Sequence, residues 1–519
     1  MLVEGDNLEV LKLLQPAYAD RVGLIYIDPP YNTGNDFVYD DDLTDPLGAY
    51  LQRTGQLDDS GRRTSSSVET SGRGHSRWLS MIYPRLLLGR ALLTQQGAIF
   101  VSIDEHEVAH LRLVLDEVFG QENFIAQLAV SLNPKGRQLG RFFATSHEYL
   151  LVYARDIELC ALQPASADDV DAGDFPLYDE ARGLHHRLLP LRNTNKKFNP
   201  STAPTMAFAV YGDPESGRVA VEPFPGAVEI WPVFGDASAA VWRWSATKIA
   251  DQAEDLVCRL VRGRAGQRVD VFQKDWLAPG RTKKLKTIWT AEEAGTTDQA
   301  VAEVKERIGP IFETPKPLKL MRRILATMPE DIMVVDFFAG SGTMAEAVLG
   351  ANADDGGTRR FVCVNLPEPT LSGSAARAAG FTEVSQIMLT RLSRRTAHQP
   401  EDPVRHFRLA ASAFNHSDDQ ERTLVRDPDD GVVAELLAAE GVGLHEPWQR
   451  IRLGDVEVVL AAGVAVVLSL ELDAGSVASA IALAPRTLVF LEDAFAGADA
   501  LKLNAIEQGR YAGVLVRTR

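Results

Sequence analysis

The sequence is poor in cysteine and has no long apolar run. Only three cysteines, Cys160, Cys258 and Cys363, occur among its 519 residues, and they lie far apart. This spacing argues against a disulfide framework or a zinc module and is typical of a reducing cytoplasm. No stretch of about 18 apolar residues occurs, and the amino terminus MLVEGDNLEV lacks the pattern of a secretory signal. We therefore expect a cytoplasmic protein that does not enter a membrane.

The sequence also lacks the phosphate-binding loop of nucleotide-hydrolysing motors, G-x-x-x-x-G-K-[ST], and no segment resembles a nuclease. If the protein works together with a motor or a nuclease, those activities must reside in another chain.

Positive charge is scarce overall, but it is unevenly distributed. The net charge of −17 taken alone disfavours a nucleic-acid partner. Residues 255–290, however, hold nine Lys and Arg against three Asp, whereas residues 401–519 hold nineteen acids against eleven bases. A basic middle and an acidic end predict separate tasks for these regions.

The alternation of strand and helix patterns divides the chain. Residues 1–155 alternate them in the manner of a parallel sheet with crossover helices, and the alternation resumes over 311–400. Residues 156–310 lose it and predict a separate inserted domain, and 401–519 predict a small α/β domain. Within the first segment, residues 53–76 are rich in Ser, Gly and Arg and predict a mobile loop.

The stretch IYIDPPYNTGN, residues 25–35, ends an apolar strand with an aspartate, two prolines and a tyrosine. Consecutive prolines have no N–H and hold the chain extended, so they stop the sheet ladder abruptly. The carboxylate of Asp28 and nearby carbonyls are acceptors, and Tyr31 offers a flat face. This combination suits a planar ring with an exocyclic amino group, although an ordinary turn is an equally good explanation from this stretch alone.

A second motif, DFFAGSGT at residues 336–343, predicts a strand, a glycine turn and the start of a helix. Such a turn lets the backbone approach a ligand, and free N–H groups at a helix start favour an anion. The pattern is shorter than a dinucleotide fingerprint, and by itself a tight turn is the better explanation. Ligands of parallel sheets lie beyond the carboxyl ends of the strands, so both motifs face one cleft if their strands are neighbours.

Together, and in this order, the two motifs resemble those of the β group of S-adenosylmethionine-dependent DNA amino-methyltransferases. Longer stretches resemble the modification (Mod) subunit of Type III restriction–modification systems, among them GDNLEVLK, RWLSMIYPRL, GAIFVSIDEHE, SHEYLLVYAR, RTKKLKTIWT and ETPKPLKLMRRIL. The resemblance implies an α/β fold with a doubly wound, Rossmann-like methyltransferase sheet, an inserted target-recognition domain and a small C-terminal α/β domain. It also implies methylation of adenine N6 in duplex DNA after base flipping, with S-adenosylmethionine as cofactor and no metal.

The same resemblance implies roles for individual residues. Asp28 and the Pro29 carbonyl, followed by Pro30, would accept hydrogen bonds from the target amino group, and Tyr31 would stack on the flipped base. The residues implied in cofactor binding are Asp6, Thr314, Lys316, Asp336, Phe338, Ala339, Gly340, Gly342, Thr343 and Asn365.

For three of these residues the sequence also indicates a structural role or an alternative residue. Asp6 could instead cap a helix. Thr314 is predicted as a helix N-cap with Pro315 at the first helical position. Asn365 stands where many relatives carry an acid for the cofactor ribose, and Glu368 is an alternative for that contact.

Basic residues are expected to contact DNA phosphates, namely Lys135, Arg192, Lys196, Lys197, Arg281, Lys283 and Lys284. The run at 281–286 is also compatible with a solvated face. His185 and His186 lack an acidic or Cys partner at ligand spacing, so we expect them at the surface or facing DNA.

The expected partners are double-stranded DNA, a second copy of the chain in a homodimer, and a nuclease or helicase (Res-like) subunit. Residues 401–519 are a candidate docking surface, or an appendage that stabilises the catalytic domain. The protein would then be associated with the bacterial nucleoid. The alternatives are a non-catalytic DNA-recognition subunit and a cytosine-N4 or RNA amino-methyltransferase.

Overall fold

The computed structural model describes residues 1–33, 71–136, 142–163, 165–166, 172–263, 266–281, 283–312, 314–396, 404–416, 422–425 and 427–519. Most of the predicted loop 53–76 lies outside these residues. Its last part, from Ser71, already belongs to a helix, which therefore begins earlier than the apolar pattern after Arg77 indicates.

Most of the described strands are short, and the two longest, of eleven residues each, lie in the nine-stranded and the four-stranded sheet. In chain order they are β1 (Leu2–Glu4), β2 (Val22–Ile27), β3 (Leu93–Ile103), β4 (Phe124–Val130), β5 (Glu148–Ala154), β6 (Ala165–Ser166), β7 (Leu177–Asp179), β8 (Leu184–Pro190), β9 (Val210–Gly212), β10 (Val219–Ala220), β11 (Val228–Ile230), β12 (Leu256–Gly263), β13 (Gly266–Trp276), β14 (Lys283–Lys284), β15 (Ile288–Trp289), β16 (Met333–Asp336), β17 (Arg360–Asn365), β18 (His406–Arg408), β19 (Phe414–His416), β20 (Arg422–Leu424), β21 (Gln449–Leu453), β22 (Val456–Ala461), β23 (Val464–Val467), β24 (Thr487–Phe490) and β25 (Leu515–Thr518).

The described α-helices lie mostly between strands. They are α1 (Asn7–Tyr18), α2 (Ser71–Leu92), α3 (Val108–Phe119), α4 (Ala246–Asp251), α5 (Ala291–Ala294), α6 (Thr297–Ile308), α7 (Leu318–Leu325), α8 (Thr343–Asp355), α9 (Ala375–Ala378), α10 (Ser385–Thr396), α11 (Asp430–Ala439), α12 (Ala474–Ile481) and α13 (Asp499–Ala512).

A large sheet with the strand order β15-β4-β5-β3-β2-β16-β17-β1-β18 organises the catalytic segments of the chain. Strands β3, β2, β16, β17 and β1 pair in parallel. Every residue of β2 and β16 is buried, as in strands that are covered on both faces. Apolar residues of α1, α2 and α3 form one core with this sheet. The predicted α/β fold class is confirmed.

Strand β5 departs from the parallel pattern because it runs antiparallel between β3 and β4. The described residues between β4 and β5 contain no helix. A parallel crossover requires a long connection, usually helical, so the chain returns here as an antiparallel neighbour.

Residues 164–285 form a unit of their own, and residues 1–163 together with 286–519 form the other. The predicted insert of 156–310 is therefore longer at both ends than the compact unit. The smaller unit has the sheets β12-β13-β8-β7, β10-β9-β11 and β14-β6. Its core includes Leu191, Val210, Trp242 and Val271, so Trp242 packs inside the protein.

The C-terminal segment contributes to three sheets of the larger unit, one of them the two-stranded sheet β19-β20. Its strand β18 pairs in parallel with β1 at the edge of the large sheet. Strands β21 to β25 form a separate five-stranded sheet, with β24 and β25 added in parallel to β23. Four of these strands coincide with the segments predicted near 456–460, 464–470, 487–491 and 513–517.

Among the residues that the structure describes, no helix combines the length and the apolar character needed to cross a membrane.

Candidate active site

The two sequence motifs meet at one edge of the large sheet. Strand β2 ends at Ile27 and leads directly into Asp28, and β16 ends at Asp336 and leads into the glycine turn. These strands are parallel neighbours, with Leu24 opposite Val334 and Ile25 opposite Val335. The prediction that the two loops share one cleft required these strands to be neighbours, and the structure confirms that they are.

Asp28 and Tyr31 belong to a compact polar cluster with Lys316 and Glu148. The Tyr31 hydroxyl donates to Asp28 Oδ1 at 2.7 Å and lies 3.0 Å from Glu148 Oε2. Lys316 Nζ lies 2.6 Å from the Tyr31 hydroxyl, 2.7 Å from Glu148 Oε2 and 3.1 Å from Asp28 Oδ1. Two carboxylates, a phenol and an ammonium group are thus within hydrogen-bonding reach of one another.

Burial and the neighbouring charges set the protonation of this cluster. Burial raises the pKa of Asp28, the ammonium of Lys316 lowers it, and the carboxylate of Glu148 raises it. Burial lowers the pKa of Lys316, but the two carboxylates outweigh burial and raise it. Lys316 therefore stays charged and balances one of the two carboxylates.

The cluster retains access to solvent, since 24% of the Asp28 side chain is exposed. A cavity of about 480 Å³ opens beside Glu148, and its lining also includes Thr33, Asn133 and His147. Pockets of this size hold small organic ligands.

Buried partners hold the backbone of the Asp28–Tyr31 loop. The indole N–H of Trp78, a fully buried residue of α2, donates to the Pro30 carbonyl at 2.6 Å. The next side chain after Tyr31 is Asn32, whose φ of +59° lies in the left-handed region. Its amide donates to Glu107 Oε1 at 2.5 Å. These contacts hold the loop on either side of Tyr31, and neither of them uses the Asp28 carboxylate.

The second motif forms a turn that only glycine adopts without strain at two positions. Gly340 has φ of +50° and Gly342 has φ of +79°, immediately before α8. The side-chain amide of Asn365 donates to the Gly340 carbonyl at 2.8 Å. The amide nitrogen of Asn365 therefore supports the turn, and contact with a cofactor ribose by Asn365 or Glu368 stays a prediction.

Asp336 is buried at the start of this turn, and its Oδ1 accepts the N–H of Phe338 at 3.0 Å. Burial raises the pKa of Asp336 to about 8, although the Phe338 amide lowers it. The carboxyl group is therefore mostly protonated at neutral pH. Phe338 and Ala339 are buried beside it.

Thr343 lies on the interior side of the turn. Its hydroxyl accepts from Arg391 Nη1 at 3.0 Å, and Arg391 Nε donates to Glu346 at 2.6 Å. Arg391 is fully buried, so this ion pair anchors the start of α8. Thr343 contributes to that support, and its predicted contact with the cofactor stays a prediction.

Asp6 caps helix α1, which was the alternative to a cofactor role. Its Oδ1 accepts the N–H groups of Leu8 at 2.9 Å and Glu9 at 3.1 Å. Its Oδ2 lies 3.2 Å from Nη2 of the buried Arg85. These contacts account for both carboxylate oxygens without a ligand, and an adenine contact by Asp6 stays a prediction.

The predicted helix start at Thr314 is wrong. Helix α7 begins at Leu318 with Pro317 at its N-cap, and Thr314 is exposed. A proline disfavours the helical conformation of the residue before it, so Pro317 keeps Lys316 out of the helix. This extended segment lets the Lys316 side chain reach the cluster around Asp28.

The predicted phosphate contacts fall into two groups. Arg192 pairs with Asp270 at 3.1 Å, and Arg281 makes two contacts with Asp275, at 2.8 and 3.1 Å. These arginines are paired with carboxylates of their own unit, and DNA contact by them stays a prediction.

The predicted lysines are accessible. Lys197, Lys283 and Lys284 are exposed. Lys135 and Lys196 are exposed as well, and they pair at the surface with Asp298 and Asp236. Surface pairs of this kind are weak and give way readily to another anion. DNA contact by these lysines stays a prediction.

Glu148 is the member of the cluster that sequence reasoning missed. It is the first residue of β5 in the stretch SHEYLLVYA. A single acid directly ahead of an apolar strand was the available signal, but its partner residues lie more than a hundred positions away.

The fold and the paired motifs are those expected of an S-adenosylmethionine-dependent amino-methyltransferase, and sequence comparison identifies the family. The model of the DNA methylase family matches residues 22–365, and the chain belongs to this family. It is 36% identical over 400 residues to the EcoPI Mod subunit of a Type III restriction-modification enzyme from Escherichia phage P1, a match that covers 76% of this chain and 61% of that protein.

Two further relatives extend this comparison. The chain is 30% identical over 394 residues to the Type II methyltransferase M.KpnI of Klebsiella pneumoniae, covering 75% of this chain and 86% of that one. It is 29% identical over 433 residues to the StyLTI Mod subunit of Salmonella typhimurium, covering 81% and 61%. The resemblance to Mod subunits is confirmed, and the match spans about three fifths of the length of the two Mod subunits.

Proposed function

We propose that this protein transfers a methyl group from S-adenosylmethionine to N6 of adenine in duplex DNA, as the modification component of a restriction system. The observation that carries the proposal is the adjacency of the Asp28–Tyr31 loop and the glycine turn at the ends of β2 and β16. A loop that accepts an amino group and a loop suited to an amino-acid cofactor thereby border one cleft.

The residues of the glycine turn fit the polar end of this cofactor. The turn needs glycine at Gly340 and Gly342 because of their positive φ, and it precedes the N–H groups at the start of α8, which suit a carboxylate. Asp336 places a carboxyl group at the start of the turn, and Lys316 places an ammonium group just before α7. When bound, S-adenosylmethionine would supply an electrophilic methyl group on a sulfonium sulfur.

The chain's own residues would then act on the amino nitrogen. The carboxylate of Asp28 and the Pro29 carbonyl accept its hydrogen bonds, which points the nitrogen lone pair at the methyl group. Tyr31 stacks on the base, which has been flipped out because its amino group is unavailable inside the duplex. Most of the rate enhancement comes from holding the reacting atoms in line.

Asp28 has to exchange partners for this to occur. Asp28 Oδ1 lies 2.7 Å from the Tyr31 hydroxyl and 3.1 Å from Lys316 Nζ, so an amino group competes with both. Glu148, 2.7 Å from Lys316 Nζ, retains the ammonium group when Asp28 turns to the substrate. Glu148 thereby keeps the buried cation paired throughout.

The proposal is tested with purified full-length protein, S-adenosylmethionine carrying a labelled methyl group, and duplex DNA. Mass spectrometry of the nucleosides should find N6-methyladenine. N4-methylcytosine as the only product would contradict the choice of base, and labelled RNA without labelled DNA would contradict the substrate. Binding to DNA without any transfer would favour the non-catalytic recognition subunit.

Residues 164–285 are proposed to select the methylated site. They form a separate compact unit and include most of the basic segment, whereas the catalytic loops must serve any site. Replacing 164–285 with the corresponding segment of a relative should move the methylated sequence, read by methylation-sensitive long-read sequencing. An active chimera that keeps the original site would contradict this assignment.

The names of the Mod relatives suggest a nuclease or helicase partner, and we expect a homodimer in the bacterial cytoplasm, associated with the nucleoid. The acidic segment 401–519 is the proposed docking surface. Light scattering of the purified protein, with and without a Res-like subunit, measures both associations. A protein that is monomeric and does not bind the Res-like subunit would contradict both expected associations.

A further inference from the structure

Two histidines and a glutamate from separate parts of the chain meet behind the catalytic loop. His75 Nδ1 in α2 lies 2.6 Å from Glu107 Oε1, and His110 Nδ1 in α3 lies 3.0 Å from Glu107 Oε2. The two imidazole rings face each other with centroids 4.4 Å apart. One nitrogen of each histidine and one oxygen of the glutamate all lie within 4.8 Å of one another.

The hydrogen bonding of this group is incomplete. The Glu107 side chain is entirely buried. Its Oε2 and the Nδ1 of His110 are buried atoms for which the described residues supply no partner in hydrogen-bond geometry, despite their separation of 3.0 Å. A buried carboxylate oxygen without a donor is costly. A cation between the three side chains would satisfy it and would also use the lone pairs of both imidazoles.

We propose that His75, Glu107 and His110 bind one divalent transition-metal ion of the zinc type. Imidazole nitrogen and carboxylate oxygen are the ligands that such ions take, at roughly 2.0–2.2 Å. Three atoms within 4.8 Å of one another lie at most about 2.8 Å from a common point, so side-chain movements of about an ångström bring them to that distance. Water would fill the fourth position, because His75 and His110 retain 34% and 38% of their side-chain exposure.

The local sequence alone suggests a different ligand set. Residues 106–110, HEVAH, match the H-E-x-x-H pattern, in which two histidines on one helical face hold zinc. Here α3 begins only at Val108, so His106 lies outside the helix. Its Nδ1 pairs with Asp104 at 2.9 Å and half of its side chain is exposed. His75 takes its place, and Glu107 is a ligand.

The proposed site adjoins the catalytic loop through Asn32. The Asn32 amide donates to Glu107 Oε1, and Asn32 follows Tyr31 directly in a left-handed conformation. An ion held by His75 and His110 would fix Glu107, and with it the end of this loop. The ion would position the loop and take no part in methyl transfer.

The test uses the full chain without a histidine tag, stripped with a chelator. Calorimetric titration with Zn²⁺ should find one saturable site per chain, and Co²⁺ should give visible absorption bands of a nitrogen-ligated ion. His75→Ala and His110→Ala should each weaken binding by about a hundredfold or more, since loss of even an outer-shell partner costs 10–100-fold. His106→Ala is the matched control and should bind like the parent protein.

Glu107→Gln keeps the shape of the side chain and removes the anionic ligand, so it should weaken binding as well. If His75→Ala does not fold by circular dichroism, His110→Asn replaces it, because that position is partly exposed. The proposal is overturned if the parent protein has no saturable site, if the His75 and His110 variants bind as tightly as the parent, or if His106→Ala weakens binding equally. None of these measurements depends on methyl transfer, so the proposed function can fail or hold independently.

Discussion

The two loops that border the cleft present different chemical groups. The loop after β2 presents polar side chains, and its Asp28 and Tyr31 lie within 3.1 Å of Lys316, which belongs to another segment. Tyr31 also lies 3.0 Å from Glu148 of β5. The loop after β16 presents backbone, held in shape by glycines with positive φ and by the Asn365 amide. The first loop is partly open to solvent, whereas most of the second is buried.

Because of this difference, we expect substitutions in the first loop to affect activity and substitutions in the second loop to affect stability. Side chains that exchange partners can respond to an arriving base, so substitutions there should change activity and leave the fold intact. A turn that depends on left-handed backbone has no such freedom, so substitutions there should change stability first.

The largest effect is expected for Asp28→Ala. The change removes the acceptor that orients the amino group, and loss of one preorganised active-site hydrogen bond costs about a hundredfold or more in rate. Initial rates of methyl transfer at saturating DNA measure it, and thermal unfolding should be little changed. Glu9→Ala, which removes an exposed acid of α1, is the control. An active Asp28→Ala enzyme would contradict the assigned role.

Gly342→Ala tests the second loop. An added Cβ would lie 2.8 Å from Met388 Cγ and would occupy a backbone conformation with φ of +79°. Gly356, at the other end of α8, has φ of +72° and open space around it, so Gly356→Ala measures the backbone cost alone, about 1–2 kcal/mol. Gly342→Ala should lose roughly 1–3 kcal/mol more through overpacking. Equal losses in denaturant unfolding would show that Met388 moves aside freely.

Opposite shifts of the pH profile are expected for the two partners of Asp28. Activity requires the Asp28 carboxylate and should fall as the pH drops through its raised pKa. Lys316→Met removes the charge that lowers this pKa, so the acid limb of kcat/KM should move to higher pH. Glu148→Gln removes a charge that raises it, so the limb should move to lower pH. Shifts in the same direction would exclude Asp28 as the titrating group.

The smallest effect concerns the pH dependence of stability at Asp336. Its pKa of about 8 lies above the value of about 4 for an unfolded aspartate. The folded protein therefore keeps a proton that the unfolded chain releases, and the resulting stability is lost as pH rises from about 4 through 8. Asp336→Asn has no such proton. Between pH 6 and 9 the melting temperature of Asp336→Asn should rise relative to that of the parent protein. A difference between the two melting temperatures that does not change with pH would contradict the raised pKa.

The elements of the fold were predictable wherever the pattern was local. Strand β2 is six consecutive apolar or aromatic residues between polar ends, and β23 is likewise wholly apolar. Strands β22 and β24 are apolar except for Glu457 and Thr487. The start of α7 was misplaced because Thr314 and Pro315 form a good local start signal, which Pro317 overrides two residues later. The antiparallel direction of β5 could not be inferred, because strand direction depends on the connection and on the partner strands.

The sequence by itself determined the two motifs and the family, because proline fixes the backbone and glycine permits a left-handed turn wherever they stand. Only the tertiary structure decided which side chains meet. Glu148 and Lys316 join Asp28 across 120 and 288 positions of sequence, and His75 joins His110 in place of His106. The physical reason is that a hydrogen bond or an ion pair depends on distances of a few ångströms in space, and the packing of the whole sheet sets those distances.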